Sequence, residues 1–155
     1  MPRLALYQPD IPQNTGTLLR TAACLGIGVD LIEPAGFALT DKNFRRAGLD
    51  YLPAATLTRH IDWAAFETAR RAERRRVVLL TTRAALPYTA FSFSAEDVLM
   101  VGRESAGVPD HVHDAADARV TIPMREGMRS LNVAIAAAMV LGEALRQVEG
   151  FAPVA

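Results

Sequence analysis

Cysteine is almost absent from this chain. Cys24 stands alone, so no internal disulfide can form, and neither Cys24 nor His60, His111 and His113 falls at the spacing of a zinc site or a helical metal pair. A reduced, cytoplasmic setting is the simplest expectation. Net charge is absent too: 17 basic residues balance 17 acidic ones, so bulk electrostatics announce no polyanion partner. No apolar run is long enough to span a bilayer, and Met1-Pro2-Arg3 begins no signal-peptide pattern. Lysine is nearly missing. Lys42 is the only one, so 16 of the 17 basic residues are arginine, whose planar fork grips phosphate and stacks on bases better than a lysine ammonium does. Several motifs are missing as well. Gly26 and Gly28 follow a helix pattern and have no third glycine at dinucleotide-binding spacing, and there is no Walker phosphate loop. Arg103-Glu-Ser-Ala-Gly107 has arginine where a nucleophile elbow needs glycine. A nicotinamide enzyme, an NTPase, a hydrolase and a metalloenzyme therefore all lack sequence support.

What remains is a chain of 155 residues, half hydrophobic and 22% charged, which predicts one globular domain over residues 1–155 with a full core. No repeat, linker or low-complexity tract divides it. Short apolar runs predict strands at Leu4 to Tyr7, Val29 to Ile32, Val77 to Thr81, Val98 to Val101 and Arg119 to Pro123, with a brief extension at Thr56 to Thr58. Helices are predicted from Asn14 to a Gly26 C-cap, from Asp41 through Arg46, from Asp62 to about Arg74, near Asp110 to Ala116, and from Leu131 onward. In the last, Leu131, Ile135, Ala138, Met139, Leu141, Ala144 and Leu145 repeat at three- and four-residue intervals. Alternating strands and helices, with nearly continuous apolar strands, predict an α/β protein: a mostly parallel sheet with helices on both faces.

Three stretches carry possible chemistry. Asn14-x-Gly16-x-x-x-Arg20 puts Gly16 and Arg20 one helical turn apart, although a capped amphipathic helix with a solvated arginine reads the same way. Leu99-Met-Val-Gly-Arg-Glu-Ser-Ala-Gly-Val-Pro109 brackets Glu104 between Gly102 and Gly107 just past a strand, where backbone must turn sharply or admit a ligand. The third runs from Arg119 to Val148: a strand closed by Pro123, a polar loop holding Arg125, Glu126, Gly127 and Arg129, and Ser130 and Asn132 at a helix start. Ligands of open α/β sheets collect beyond the carboxyl ends of strands, which is where the second and third stretches fall.

Taken together, Asn14/Gly16/Arg20, Gly102/Glu104/Gly107 and Ile122-Pro-Met124 with Ser130-Leu-Asn132 resemble the three signature motifs of the SPOUT methyltransferases. More narrowly they resemble the branch that methylates ribose 2′-hydroxyls of RNA. Tyr7-Gln-Pro-Asp-Ile-Pro-Gln-Asn-Thr-Gly16 and Asp41-Lys-Asn-Phe-Arg-Arg-Ala-Gly-Leu-Asp-Tyr51 look like the small members of that branch, which act on the wobble nucleotide of tRNA without an added RNA-binding domain. The resemblance spans essentially the whole chain. It departs at Arg103, where the family often has proline, at Ala106, where it often has arginine, and at Ala134, where it often has serine; Arg103 is the candidate replacement for the charge missing at Ala106.

The resemblance implies a C-terminal trefoil knot, a homodimer with the helix from Ala134 in its interface, and S-adenosyl-L-methionine bound in the knot. Its cofactor contacts carry over to Leu80, Gly102, Ile122 and Ser130, with Met124 and Leu131 lining the adenine pocket. The partner it implies is the anticodon stem-loop of tRNA. For the reaction it brings forward Arg20, Asn14, Glu104, Ser130 and Asn132. A guanidinium holds its proton above about pH 12, so Arg20 is read as a clamp on the phosphate beside the target ribose, with that phosphate or Glu104 accepting the hydroxyl proton. Asn14 and Asn132 orient the groups and Ser130 holds the cofactor loop. Arg45 and Arg46 are the better candidates for RNA contact. The run Arg70, Arg71, Arg74, Arg75 and Arg76 reads as solvation and dipole compensation at a helix end, and Trp63 with Phe66 as core. Two other readings fit: a SPOUT enzyme acting elsewhere on tRNA or on rRNA, and a non-catalytic RNA-binding module.

Overall fold

The computed structural model describes residues 1–38, 42 and 57–155. Apart from Lys42, the block Asp41 to Tyr51, with its predicted helix and with Arg45 and Arg46, lies outside the described residues. Six strands form one sheet in the order β3-β2-β1-β5-β4-β6: β1 (Arg3–Tyr7), β2 (Val29–Ile32), β3 (Leu57–His60), β4 (Arg76–Leu80), β5 (Asp97–Val101) and β6 (Ala118–Val120). Every pairing described is parallel, with Leu6 opposite Val101 and Leu80 opposite Val120. Strand order reverses between β1 and β5, so the loops leaving the central strands diverge and open a crevice at their carboxyl ends.

Side chains alternate between the two sheet faces, and both faces are apolar. Leu4 and Leu6 of β1, Val78 of β4 and Leu99 and Val101 of β5 pack toward α1 (Pro12–Leu25) and α4 (Val133–Gln147). Ala5, Tyr7, Val77, Leu79, Val98 and Met100 face the other way, onto Phe66 of α2 (Trp63–Ala72) and Val112 of α3 (Asp110–Ala115). That is the pattern of a parallel sheet covered on both sides, and no polar side chain fits its middle without a partner. Where buried charge occurs it is paired: Asp30 accepts from Arg3 and lies 2.8 Å from Nε2 of His60, tying β1, β2 and β3 together.

Several boundaries differ from expectation. The first helix begins at Pro12, not Asn14; Ile11 is its N-cap and makes no side-chain cap bond. Proline at the first helical position has no N–H to satisfy and a backbone already set for helix, so no polar cap is needed there. Gly26 ends the helix in the left-handed conformation, as its position predicts. Strand β6 stops at Val120, because the Thr121 N–H turns away to the Leu86 carbonyl at 2.9 Å. The last helix begins at Val133, leaving Leu131 outside it. Of the predicted apolar stripe, Leu141, Ala144 and Leu145 are buried, while Leu131, Ile135 and Met139 are exposed. The arginine run is ion-paired more than solvated. Arg70 is buried against Glu67 and Asp117, and Arg76 bonds Asp97 at 2.7 Å. Asp97 and Asp117 lie on other elements, so sequence neighbours alone do not reveal them. Among the described residues no helix is long and apolar enough to cross a membrane.

Phe66 anchors the lower layer. It is 1% exposed and stacks edge-on against His60 and tilted against Trp63. Phe66→Ala leaves a large cavity there and is expected to lower the unfolding free energy by about 3–5 kcal/mol in urea titration, with an unchanged slope.

Candidate active site

The strands β5, β4 and β6 are neighbours, so their carboxyl ends deliver three consecutive loops to one place. There the chain forms a cavity of about 500 Å³. Leu80 to Thr82 line it after β4, Gly102 to Val108 after β5, and Thr121, Ile122 and Met124 after β6. Ile11 and Asn14 approach from the start of α1, and Ser130 to Val133 from the start of α4. Leu80, Ile122, Met124 and Leu131 give it apolar walls, and the polar groups converge from the loops.

The loop after β5 closes on itself. The Arg103 N–H donates to the Gly107 carbonyl at 2.9 Å, and the Gly107 N–H returns to the Arg103 carbonyl at 2.8 Å. A Cβ at position 102 would lie 2.6 Å from the carbonyl carbon of Gly107, and the obstacle is backbone with no rotamer to yield. Gly107 itself has φ +64, a conformation side chains disfavour. The two glycines therefore permit one hairpin, and that hairpin holds Glu104 at the cavity wall.

Glu104 is clamped from β1. The Asp10 N–H donates to Glu104 Oε2 at 3.0 Å, and the Glu104 N–H donates to Asp10 Oδ1 at 3.2 Å. The Ser105 hydroxyl also donates to the Asp10 carboxylate. Burial, and then the hydrogen bond with Asp10, push the Glu104 carboxyl above the usual range. The same hydrogen bond, ahead of opposing burial and helped by Ser105 and Arg103, pulls Asp10 below it. As pH falls, Glu104 is therefore the first of the pair to take a proton. Asp10 is pressed from behind by Gly36, where a Cβ would come within 2.7 Å of the Asp10 Cβ.

Asn132 has two tasks. Its Oδ1 caps α4, accepting from the Ala134 and Ile135 N–H groups at 2.8 and 3.2 Å. The capping oxygen fixes which way the amide points, and its Nδ2 donates to Oδ1 of Asn14 at 3.1 Å. Residues 118 apart in sequence are thus joined at the cavity rim. Gly127, at φ +85, makes the turn that lets the segment after β6 double back, with the Met128 N–H on the Arg125 carbonyl. Among the described residues no group of three His, Cys, Asp or Glu is placed to hold a metal ion.

Residues 1–142 match the SpoU rRNA Methylase family. The chain belongs to that family. A relative from Beijerinckia indica subsp. indica, named tRNA (cytidine(34)-2'-O)-methyltransferase, is 62% identical over 151 residues, covering 97% of this chain and 94% of the relative. A solved structure described as "Structural insights into the 2-OH methylation of C/U34 on tRNA" superposes with TM-score 0.90 at 41% identity, covering 97% of each chain. The SpoU methyltransferase AviRb from Streptomyces viridochromogenes, solved in complex with AdoMet, superposes at 0.85 with 27% identity, covering 95% of this chain and 60% of that one. The expected mostly parallel α/β architecture is the one these SpoU structures share.

Of the residues the motifs singled out, Asn14, Leu80, Gly102, Glu104, Ile122, Met124, Ser130, Leu131 and Asn132 all line the SpoU cavity. Arg20 does not. Six residues beyond Asn14, it lies about 9 Å further along α1, exposed, while Gly16 is buried. Trp63 packs against the core cluster on Phe66, as expected. The motifs missed Asp10 and Ser105. Asp10 had a usable signal: it stands between Pro9 and Pro12 at the carboxyl end of the first strand, where a parallel sheet collects its polar groups.

A carboxyl raised in the folded chain binds its proton more readily there than when unfolded. Its contribution to stability is complete below the ordinary glutamate range and is lost as pH rises through the raised value. Glu104→Gln keeps a neutral donor toward Asp10 at every pH. Its thermal midpoint relative to the unaltered protein is expected to rise from mildly acid to neutral solution.

Proposed function

We propose that this protein transfers the methyl group of S-adenosyl-L-methionine to the ribose 2′-hydroxyl of the wobble nucleotide of tRNA, cytidine or modified uridine at position 34. The carrying observation is that Asn14 of the first motif and the residues of the other two, far apart in sequence, meet on one cavity at the carboxyl edge of the sheet. The names of the relatives at 62% and 60% identity support the substrate. The cavity suits the cofactor: about 500 Å³ lies within the range of small-molecule sites. Leu80, Ile122, Met124 and Leu131 offer apolar walls to an adenine ring, and the bare backbone at Gly102 admits close approach. When bound, S-adenosylmethionine supplies the electrophilic methyl group.

The residues divide the remaining work. Ser130 and Leu131 hold the cofactor side of the cavity. Asn14 and Asn132 orient the reacting hydroxyl from a rim fixed by the α4 cap. Glu104 accepts the hydroxyl proton, directly or through the adjacent phosphate, and does so when ionised. Arg20, outside the cavity on α1, grips the phosphate beside the target ribose. A homodimer suits the exposed Ile135 and Met139, one helical turn apart on α4. The reading includes one domain, a cytoplasmic setting and a trefoil knot made as the chain after β6 returns to α4.

The first test is incubation with labelled S-adenosylmethionine and bulk tRNA, followed by digestion and mass spectrometry. A 2′-O-methyl group at position 34 is expected. A methyl at another ribose overturns the substrate, and no transfer to tRNA overturns the reading. Glu104→Gln is expected to slow transfer by about 10²–10⁴-fold while the fold is kept. Arg20→Lys keeps the charge without the fork and is expected to raise KM for tRNA; near-full activity would remove the bidentate clamp.

A further inference from the structure

Arg103 lines the cavity, and among the described residues it is the only cation that does. Its backbone is locked on both sides by the paired bonds to Gly107, so the side chain is presented from a rigid support. Its Nε is buried and has no hydrogen-bond partner. The nearest carboxylate oxygen, Oδ2 of Asp10, lies 3.7 Å away, well beyond the roughly 2.8 Å of a charge-assisted bond. Asp10 is already engaged, taking the Ser105 hydroxyl and the Glu104 N–H. Asp10 therefore attracts the guanidinium without using its donors. A structural strut would be expected to close its ion pair; this one is left open beside a half-enclosed space, where an unmet donor is costly.

We propose that Arg103 is the anion-binding side chain of the cavity, receiving the oxygens of a carboxylate or phosphate on the bound ligand through its planar fork. The inference rests on the reading given above, because that reaction brings two such groups: the methionyl carboxylate of the cofactor and the phosphates flanking the target ribose. Asp10 then serves as the positioning residue that keeps the guanidinium aimed while it is unliganded.

Binding measurements on the dimer or monomer as purified separate the cases. Arg103→Gln and Arg103→Lys are titrated with S-adenosylhomocysteine, which carries the carboxylate, with 5′-methylthioadenosine, which lacks it, and with an anticodon stem-loop RNA at several salt concentrations. Arg103→Gln is expected to weaken one of the two charged ligands by about tenfold or more, with 5′-methylthioadenosine binding and thermal midpoint unchanged. Loss confined to S-adenosylhomocysteine identifies the carboxylate. Loss confined to RNA, with a salt slope flatter by about one, identifies a phosphate. Arg103→Lys should restore part of the loss, since a point charge replaces the fork. Wild-type affinity for both charged ligands overturns the inference, as does an equal loss for 5′-methylthioadenosine or no recovery with lysine. Methyl transfer by the unaltered protein is assayed in parallel: its absence, with Arg103-dependent anion binding intact, removes the proposed reaction and leaves this inference standing.

Discussion

Two backbone segments approach each other after β5 more closely than any side chain would allow, and the active edge depends on that approach. Gly102 lies where a Cβ would strike the Gly107 carbonyl carbon, and the pair of hydrogen bonds between residues 103 and 107 closes the gap. Without this tight hairpin, Glu104 would not meet Asp10. The end of β1 would then lose its link to the end of β5, and Arg103 would have no rigid support. A contact of a few ångströms thus sets the positions of the two carboxyls and the guanidinium together.

The sheet explains why these groups are where they are. Parallel strands buried on both faces leave no room for unpaired polar side chains, so polarity is driven to the strand ends. The reversal of strand order between β1 and β5 opens a crevice at one of those ends. Loops from β4, β5 and β6, together with the first turns of α1 and α4, fill its rim. The Asn132 amide completes the frame. Its oxygen is spent on capping α4, which leaves its NH₂ group only one side on which to act, and Asn14 lies there.

Arginine serves two separate purposes in this protein. Arg3 and Arg76 meet carboxylates of neighbouring strands and tie the sheet together, and Arg70 ties its helix to Asp117 beside β6; Arg76 also lies over the Phe91 ring. Arg103 differs from them because its carboxylate neighbour stands off. Zero net charge therefore hides an uneven distribution. Many of the described arginines are neutralised locally, and one guanidinium is directed at the cavity.

Much of the fold was legible in the chain. Apolar runs such as Val98 to Val101, with side chains buried on both faces, could only be central strands, and Gly26 marked the end of α1 because a left-handed residue ends a helix cheaply. The motif residues around Gly102, Ile122 and Asn132 were legible too, since glycine, proline and a short capping amide each mark a backbone that must do something unusual. What local pattern cannot carry is which distant groups meet. Helical spacing put Gly16 and Arg20 on a shared face, yet the core buries one and leaves the other exposed. The same periodicity placed Ile135 and Met139 in one stripe with the buried Leu141, Ala144 and Leu145, although Ile135 and Met139 lie exposed on α4. The arginine run looked solvated because two of its carboxylate partners, Asp97 and Asp117, come from elsewhere in the chain. Sequence by itself determined the elements and the residues able to turn, cap or titrate. Tertiary structure decided that Asp10 shares its proton network with Glu104 and that Arg103 faces the cavity with donors to spare, because both depend on parallel strands bringing loops some ninety residues apart into contact.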